Sequence, residues 1–209
     1  MILKNFAVFE GIDGAGTSTQ IQLLKKREEC KNFCFTAEPT SFPTGKFLRQ
    51  MLKGDITLNP KTSAFLFAAD RAEHVWGKSS ENGGFMGIEE ACLNNKITVS
   101  DRYIFSSLAY QKVTCGKELP AALNSFFPLP ELLFFFEIEP EDSLKRISGR
   151  ETIEIYEKSD FLKETEKAYR EVINEYEKSV PQMKIIRINA VQPKDVIAEK
   201  IWNELKNLL

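Results

Sequence analysis

The segment Phe9-Glu10-Gly11-Ile12-Asp13-Gly14-Ala15-Gly16-Thr17-Ser18-Thr19-Gln20 gathers small, flexible and hydroxyl-bearing residues within one tight turn. Glycines at 11, 14 and 16, with Ile12, Asp13 and Ala15 between them, let backbone N–H groups turn inward and approach an anion closely. An apolar run precedes the segment and a helix is predicted to open near Thr17. The unpaired amides and the positive end of that helix would face the same anion. Ser18, ahead of Thr19, sits where such loops offer a hydroxyl ligand to Mg²⁺. The phosphate-loop pattern G-x-x-x-x-G-K-[ST] is met at every fixed position except one, because Thr17 stands where lysine is expected. A neutral hydroxyl donates a hydrogen bond but carries no charge to the β and γ phosphates. Losing one preorganised donor of this kind costs about 3–4 kcal/mol of transition-state stabilisation. Taken alone, the loop is also compatible with a strand-to-helix turn that holds no ligand.

A second constellation is Ser100-Asp101-Arg102-Tyr103-Ile104-Phe105-Ser106-Ser107-Leu108-Ala109-Tyr110-Gln111. An acid and a base at the C-terminal end of a strand lie on the ligand side of an open α/β sheet, the side to which the phosphate loop also belongs. Arg102 can clamp a phosphate in bidentate fashion, and Asp101 can hold a metal-bound water. The plainer alternative is an Asp-Arg pair that caps a helix.

These residues need a scaffold, and the spacing of apolar runs supplies one. Phe6 to Phe9, Phe33 to Thr36, Ile97 to Ser100, Leu132 to Ile138 and Lys184 to Ile188 read as strands buried on both faces, with helical material between them. That pattern predicts an α/β fold, a single domain over residues 1–209 with a five-stranded parallel sheet flanked by helices. About sixty residues separate the second and third runs, more than one crossover helix requires. Helices are expected there over Gly45 to Leu52 and Lys61 to Val75, the second started by Asn59-Pro60, then a loop over Ser79 to Gly87 and a short helix through Leu93. Long helices are expected over Phe161 to Lys178 and Pro193 to Leu208, and Pro120 with Pro128-Leu129-Pro130 bracket a turn-rich stretch. The chain has 209 residues, 28% of them charged, with a net charge of −2, so nothing global argues for nucleic acid or membrane partners. Four cysteines show no CxxC pairing and fit free thiols in the cytoplasm, and no apolar run approaches the ~20 residues that span a bilayer.

In order along the chain, the motifs resemble the thymidylate kinase family. The loop Gly-Ile-Asp-Gly-Ala-Gly looks like the family's, as does Thr36-Ala37-Glu38-Pro39-Thr40 followed by Gly45 and Leu48-Arg49. Leu66-Phe67-Ala68-Ala69-Asp70-Arg71-Ala72 is similar to its thymine-binding helix, and Asp101 to Gln111 meets its signature at every fixed position. The resemblance implies a P-loop kinase that phosphorylates thymidylate (dTMP) to dTDP with ATP and Mg²⁺, in dTTP synthesis for DNA replication, as a homodimer. It implies that residues 11 to 19 and Arg146 bind ATP, with Ser18 on the metal and Asp101 reaching it through water. Asp13 would accept from the sugar 3′-hydroxyl, Phe67 would stack on thymine, and Arg71 would donate to its carbonyl. Ser107 and Gln111 would read the base edge, and Tyr110 would lie near the sugar's 2′ carbon. Arg49 and Arg102 would hold the acceptor phosphate, with Glu38 orienting them or the metal's waters. A short lid over about 146–156 would bring Arg150 across the phosphates. The plainer alternatives are a core position for Phe67 and solvated helix-end charges for Arg146 and Arg150.

Three departures each remove positive charge: Thr17 in the loop, Ala37 where the family has arginine, and Ile155 where it often has a lid arginine. An active thymidylate kinase is the favoured reading, with Arg150, Arg102, Mg²⁺ or a lysine such as Lys46 supplying the missing charge. The alternatives are a nucleotide-binding protein impaired in turnover, or a kinase for another pyrimidine monophosphate. His74, the lone histidine, reads as a packing or partner-facing residue.

Overall fold

The computed structural model describes residues 1–78, 86–148 and 159–209. Strands β1 (Ile2–Glu10), β2 (Cys34–Ala37), β3 (Thr98–Asp101), β4 (Leu129–Glu137) and β5 (Lys184–Asn189) form one sheet in the order β2-β3-β1-β4-β5. Every pairing is parallel. Parallel strands covered on both faces need continuous apolar sequence. Phe6, Ala7, Val8 and Phe9 of β1 meet that need with no exposed surface, and Phe9 packs its ring 5.0 Å from Phe134 and 5.5 Å from Phe136 of β4.

The chain leaves β1 for the β2 edge, returns through β3, and then crosses to β4 on the other side. The order therefore reverses at β1, where such sheets open a crevice at their C-terminal ends. Register fixes the depth of that crevice. Phe9 lies opposite Asp101, and Ala37 lies opposite Asp101 from the other side. Three segments thus leave the sheet level with one another: the glycine loop after Glu10, Glu38-Pro39 after β2, and Arg102-Tyr103 after β3.

Among the described residues the helices are α1 (Thr17–Leu24), α2 (Pro43–Lys53), α3 (Pro60–Trp76), α4 (Ile88–Leu93), α5 (Ile104–Cys115), α6 (Glu118–Asn124), α7 (Pro140–Ile147), α8 (Ser159–Ser179) and α9 (Lys194–Leu205). Local chemistry explains their ends. Asn59 caps α3 by accepting from the Lys61 amide at 2.9 Å, with Pro60 in the first turn, and Gly54 ends α2 in the left-handed region at φ 83°. α5 is buried along most of its length, including Ser107, Tyr110 and Gln111.

The stretch expected to be turn-rich holds turns only over residues 125–127, between a helix and a strand. Pro120 sits in the first turn of α6, where its missing N–H has no helical partner to lose, and Leu129-Pro130 begin β4. Pro130 is tolerated there because the β1–β4 register shifts between Leu3 and Ala7, next to its own pairing with Leu3. Most of the expected lid, with Arg150 and Ile155, and residues 79–85 of the loop before α4 lie outside the described residues. No helix among those described is long and apolar enough to cross a membrane, and the four cysteines are unpaired.

Gly45 shows how tightly α2 is seated. A Cβ there would stand 2.1 Å from the Thr40 carbonyl oxygen and 2.6 Å from its carbon, so backbone would have to move. Gly45→Ala should lower the midpoint of thermal unfolding by roughly 5 °C or more, as overpacking against backbone commonly costs 1–3 kcal/mol; an unchanged midpoint by calorimetry would contradict this packing.

Candidate active site

The glycine loop is shaped by two left-handed glycines, Gly14 at φ 81° and Gly16 at φ 97°. Gly14 is also crowded, since a Cβ would meet the Ser143 carbonyl oxygen of α7 at 2.9 Å. The first helical bond runs from Gln20 N–H to Gly16 O at 3.2 Å, which leaves the amides of residues 17–19 without intrahelical partners. Arg146 of α7 lies against the loop. Its Nη1 donates to Gly14 O at 3.3 Å and its Nη2 to Ala190 O, in the turn after β5, at 2.8 Å. Gly11 sits lower: its carbonyl accepts from Arg102 Nη1 at 2.9 Å, and a Cβ would stand 2.9 Å from Phe136 O.

Beside the loop, Ser18 Oγ donates to Asp101 Oδ2 at 2.6 Å, while the buried Asp101 Oδ1 has no hydrogen-bond partner. A hydroxyl next to a half-satisfied carboxylate suits a hard cation that keeps several waters and takes its other ligands from phosphates. No group of three or more His, Cys, Asp or Glu able to hold a metal by itself occurs among the described residues. The donor set therefore fits Mg²⁺ arriving with a nucleotide.

Arg102 follows at φ 73°, its amide donating to Phe9 O at 2.9 Å. Nη2 reaches Asp13 Oδ1 at 2.5 Å, and Tyr110 Oη donates to Asp13 Oδ2 at 2.7 Å. Burial, with Asp13 alongside, pushes the Tyr110 phenol well above its ordinary pKa, so it remains a donor. Beneath them, Glu10 accepts from Tyr103 N–H at 2.8 Å, Ser106 N–H at 3.1 Å, Ser106 Oγ at 2.7 Å and Tyr169 Oη at 2.8 Å.

The opposite wall is built on α3 and α5. Arg71 is 1% exposed and donates to Glu38 Oε2 from Nε at 3.0 Å and from Nη2 at 2.6 Å; it also meets Ser107 Oγ at 3.0 Å and Asn124 Oδ1. Glu38 is held in turn by His74 Nδ1 at 3.0 Å, and His74 Nε2 lies 2.6 Å from Thr36 Oγ1. Burial alone would raise the Glu38 carboxyl, but Arg71 and then His74 hold it below its ordinary value. His74 has no exposed surface, so it faces the interior of this chain rather than a partner. Asp70 accepts from Thr40 N–H at 2.8 Å, Thr40 Oγ at 2.6 Å and Thr44 Oγ at 2.7 Å, which ties the turn after Pro39 to the start of α2. The buried Gln111 leaves its Oε1 unpaired, and Phe67 lies half-buried beside Leu52.

One cavity of ≈ 810 Å³ connects these parts. Every site residue named from the sequence lines it, apart from Gly11 beneath the loop and Arg150 outside the described residues. Ser106 and Lys194 line it as well, with no role expected of them, while Ala190 and Gln192 come from the turn Ala190-Val191-Gln192-Pro193, which resembles the family's adenine-side loop. Glu10 was also missed, though a lone acid ending the run Phe6-Ala7-Val8-Phe9 is a legible sign of a buried, fully bonded carboxylate.

The thymidylate kinase family model matches residues 9–201. A Treponema pallidum protein provisionally named a thymidylate kinase is 38% identical over 207 residues, covering 98% of this chain and 96% of the relative. A Methanococcus maripaludis protein named a probable thymidylate kinase is 37% identical over 210 residues, covering 99% and 96%. One from Methanocaldococcus jannaschii, named in the same way, is 37% identical over 177 residues, covering 84% and 85%. The chain belongs to the thymidylate kinase family.

For a thymidylate kinase, the placement of cations matters most. Arg49, Arg71, Arg102, Arg146 and Lys194 line the cavity, whereas Lys46 is exposed on α2 and does not. Lys46 stands one turn nearer the start of α2 than Arg49, roughly 4.5 Å along the axis, and misses the opening. Thr17 is nearly buried in the cavity wall.

Burial pushes the Glu10 carboxyl up to about 7 from 4.5, against the pull of Arg102 and the hydrogen bonds from Ser106, Tyr169 and Tyr103. Between those values the folded chain holds a proton that the unfolded chain has lost. The stability Glu10 contributes is full below pH 4.5 and is lost as pH rises through about 7. Glu10→Gln cannot titrate, so wild type should lose ground to the variant by on the order of 3 kcal/mol across that window and no further above it. Denaturant unfolding of both proteins at pH 5 and pH 8 measures the change, and a constant difference would contradict it.

Proposed function

We propose that the protein transfers the terminal phosphoryl group of ATP to thymidylate, giving ADP and dTDP, with Mg²⁺ at the Ser18–Asp101 pair. The observation that carries this reading is a single cavity lined both by the glycine loop and by Phe67, Arg71, Ser107 and Gln111, with Arg102 on the same surface. The loop amides and helix end bind the triphosphate, and Arg146 holds the nucleotide's base side beside Ala190. Phe67 offers a flat face to thymine. Gln111 and Arg71 present fixed polar groups to its edge, and a base that mismatches them leaves buried groups unpaired. Asp13 takes the sugar hydroxyl, and Tyr110 crowds the 2′ position.

Arg49 and Arg102 hold the acceptor phosphate in line with the donor. When bound, Mg²⁺ neutralises charge on the phosphate oxygens. The acceptor is already an anion, so no general base is required, and positioning with charge compensation carries the rate. Four unpaired cysteines accord with a cytoplasmic enzyme, and exposed Phe47 of α2 and Phe65 of α3 offer an apolar face for a second copy.

In a coupled ADP assay with ATP, Mg²⁺ and thymidylate, wild type should turn over. Arg102→Ala should lower kcat/KM by about 10²–10³-fold, the usual loss for one preorganised donor. Calorimetric binding of both nucleotides with no turnover would overturn the kinase reading.

A further inference from the structure

Arg102 performs its proposed task only if its guanidinium is aimed, and its backbone is already constrained. The φ of 73° is one that a non-glycine residue adopts at some cost. Its amide is held by Phe9 O, and Ser100 Oγ donates to its carbonyl at 2.7 Å. The side chain then meets two hydroxyls: Nη1 lies 3.2 Å from Ser106 Oγ and 3.3 Å from Tyr169 Oη. A hydroxyl can present either a lone pair or a hydrogen, and only the lone pair attracts a cation.

Glu10 decides which is presented. In its ionised form it is acceptor-only, and both hydroxyls lie within donating distance of one oxygen, Oε2, at 2.7 Å and 2.8 Å. Its Oε1 is occupied by the amides of Tyr103 and Ser106 at the start of α5, so the carboxylate has little freedom to turn. Ser106 Oγ and Tyr169 Oη also lie 2.7 Å from each other, so the hydrogens run toward Glu10 either directly or through the neighbouring hydroxyl, and each oxygen keeps a lone pair for Arg102. Tyr169 is fully buried and does not line the cavity, so its hydroxyl reaches the substrate through Arg102 and Ser106 rather than by contact.

We infer that Glu10, Ser106 and Tyr169 form a buried carboxylate–hydroxyl relay that aims the Arg102 guanidinium at the acceptor phosphate, with Tyr169 a positioning residue supplied by α8. The inference rests on the thymidylate reading given above. Tyr169 also packs its ring 5.8 Å from Phe135 and 5.9 Å from Tyr110, contacts that phenylalanine preserves. Tyr169→Phe therefore removes the hydroxyl and little else.

Calorimetry at pH 8, where Glu10 is mostly ionised, with thymidylate and with thymidine separates the phosphate from the rest of the ligand. Tyr169→Phe and, independently, Ser106→Ala should weaken thymidylate by roughly 3–10-fold and leave thymidine unchanged, about the worth of one ordinary hydrogen bond, because each hydroxyl acts on the phosphate at one remove through Arg102. In the Arg102→Ala background, Tyr169→Phe should add no further loss. Equal weakening of both ligands, or a full Tyr169→Phe effect without Arg102, would overturn the relay. Wild-type turnover with an unmoved thymidylate-to-thymidine ratio would overturn it alone, whereas a wild type that does not bind thymidylate would overturn the substrate reading and the relay together.

Discussion

Phe9 and Ala37 both stand level with Asp101 in the sheet, and the depth of the site follows from that pairing. Parallel strands exchange evenly spaced hydrogen bonds, so a shift by one residue would turn every side chain to the other face. Because β1 and β3 are buried on both faces and the half-buried edge strand β2 pairs along β3, register cannot slip without unpairing the ladder. The glycine loop, the Glu38 turn and Arg102 therefore emerge at one height, though they are far apart in sequence. Ser18 and Asp101, 83 residues apart, meet at 2.6 Å for this reason.

The same geometry explains why a site for anions is rich in buried acids. Asp13 and, through two hydroxyls, Glu10 orient Arg102; Glu38 orients Arg71. A buried guanidinium without a carboxylate would be costly, and even the paired arrangement gains little net stability after desolvation. What such pairing provides is direction. Arg71, 1% exposed and bonded to Glu38, Ser107 and Asn124, has few ways to move, which suits a group that reads the edge of a flat ring. His74 and Thr36 extend the same bracing outward from Glu38.

Much of this was legible in the sequence because the relevant signals are local. Continuous apolar runs gave the five strands to within a few residues, and Asn59-Pro60 marked the start of α3 because capping acts over two residues. Local signals also misled. Prolines at 120, 128 and 130 bracket a stretch that reads as turn-rich; turns do fall at 125–127, yet Pro120 sits in a first helical turn and Pro130 in a strand at a register shift, contexts that only tertiary pairing reveals. Of the bracing beneath Arg102 only Glu10 left a trace, as the lone acid ending an apolar run; its partners were not legible. Glu10 and Tyr169 are 159 residues apart, and a single tyrosine on the buried stripe of α8 looks like any other core position.

Cations on the cavity differ in how much charge they retain, and this bears on Thr17. Arg71 and Arg102 are paired with carboxylates, so their net field is reduced. Arg49 donates to the Pro39 carbonyl and Arg146 to the carbonyls of Gly14 and Ala190, all neutral, and neither forms an ion pair with a carboxylate among the described residues, although Asp142 one turn back on α7 feels Arg146 weakly. A cation anchored by neutral groups keeps its full charge for a ligand, in a cavity where screening by water is weaker than in bulk. One such arginine stands on the α2 side and one against the glycine loop itself. Thr17 stands where the loop pattern has lysine, and the helix packed on the loop, α7, holds a guanidinium 3.3 Å from Gly14 O. Charge in this site is carried by neighbouring elements rather than by the turn that cradles the phosphates, so the loop contributes shape and amides while its surroundings contribute the field.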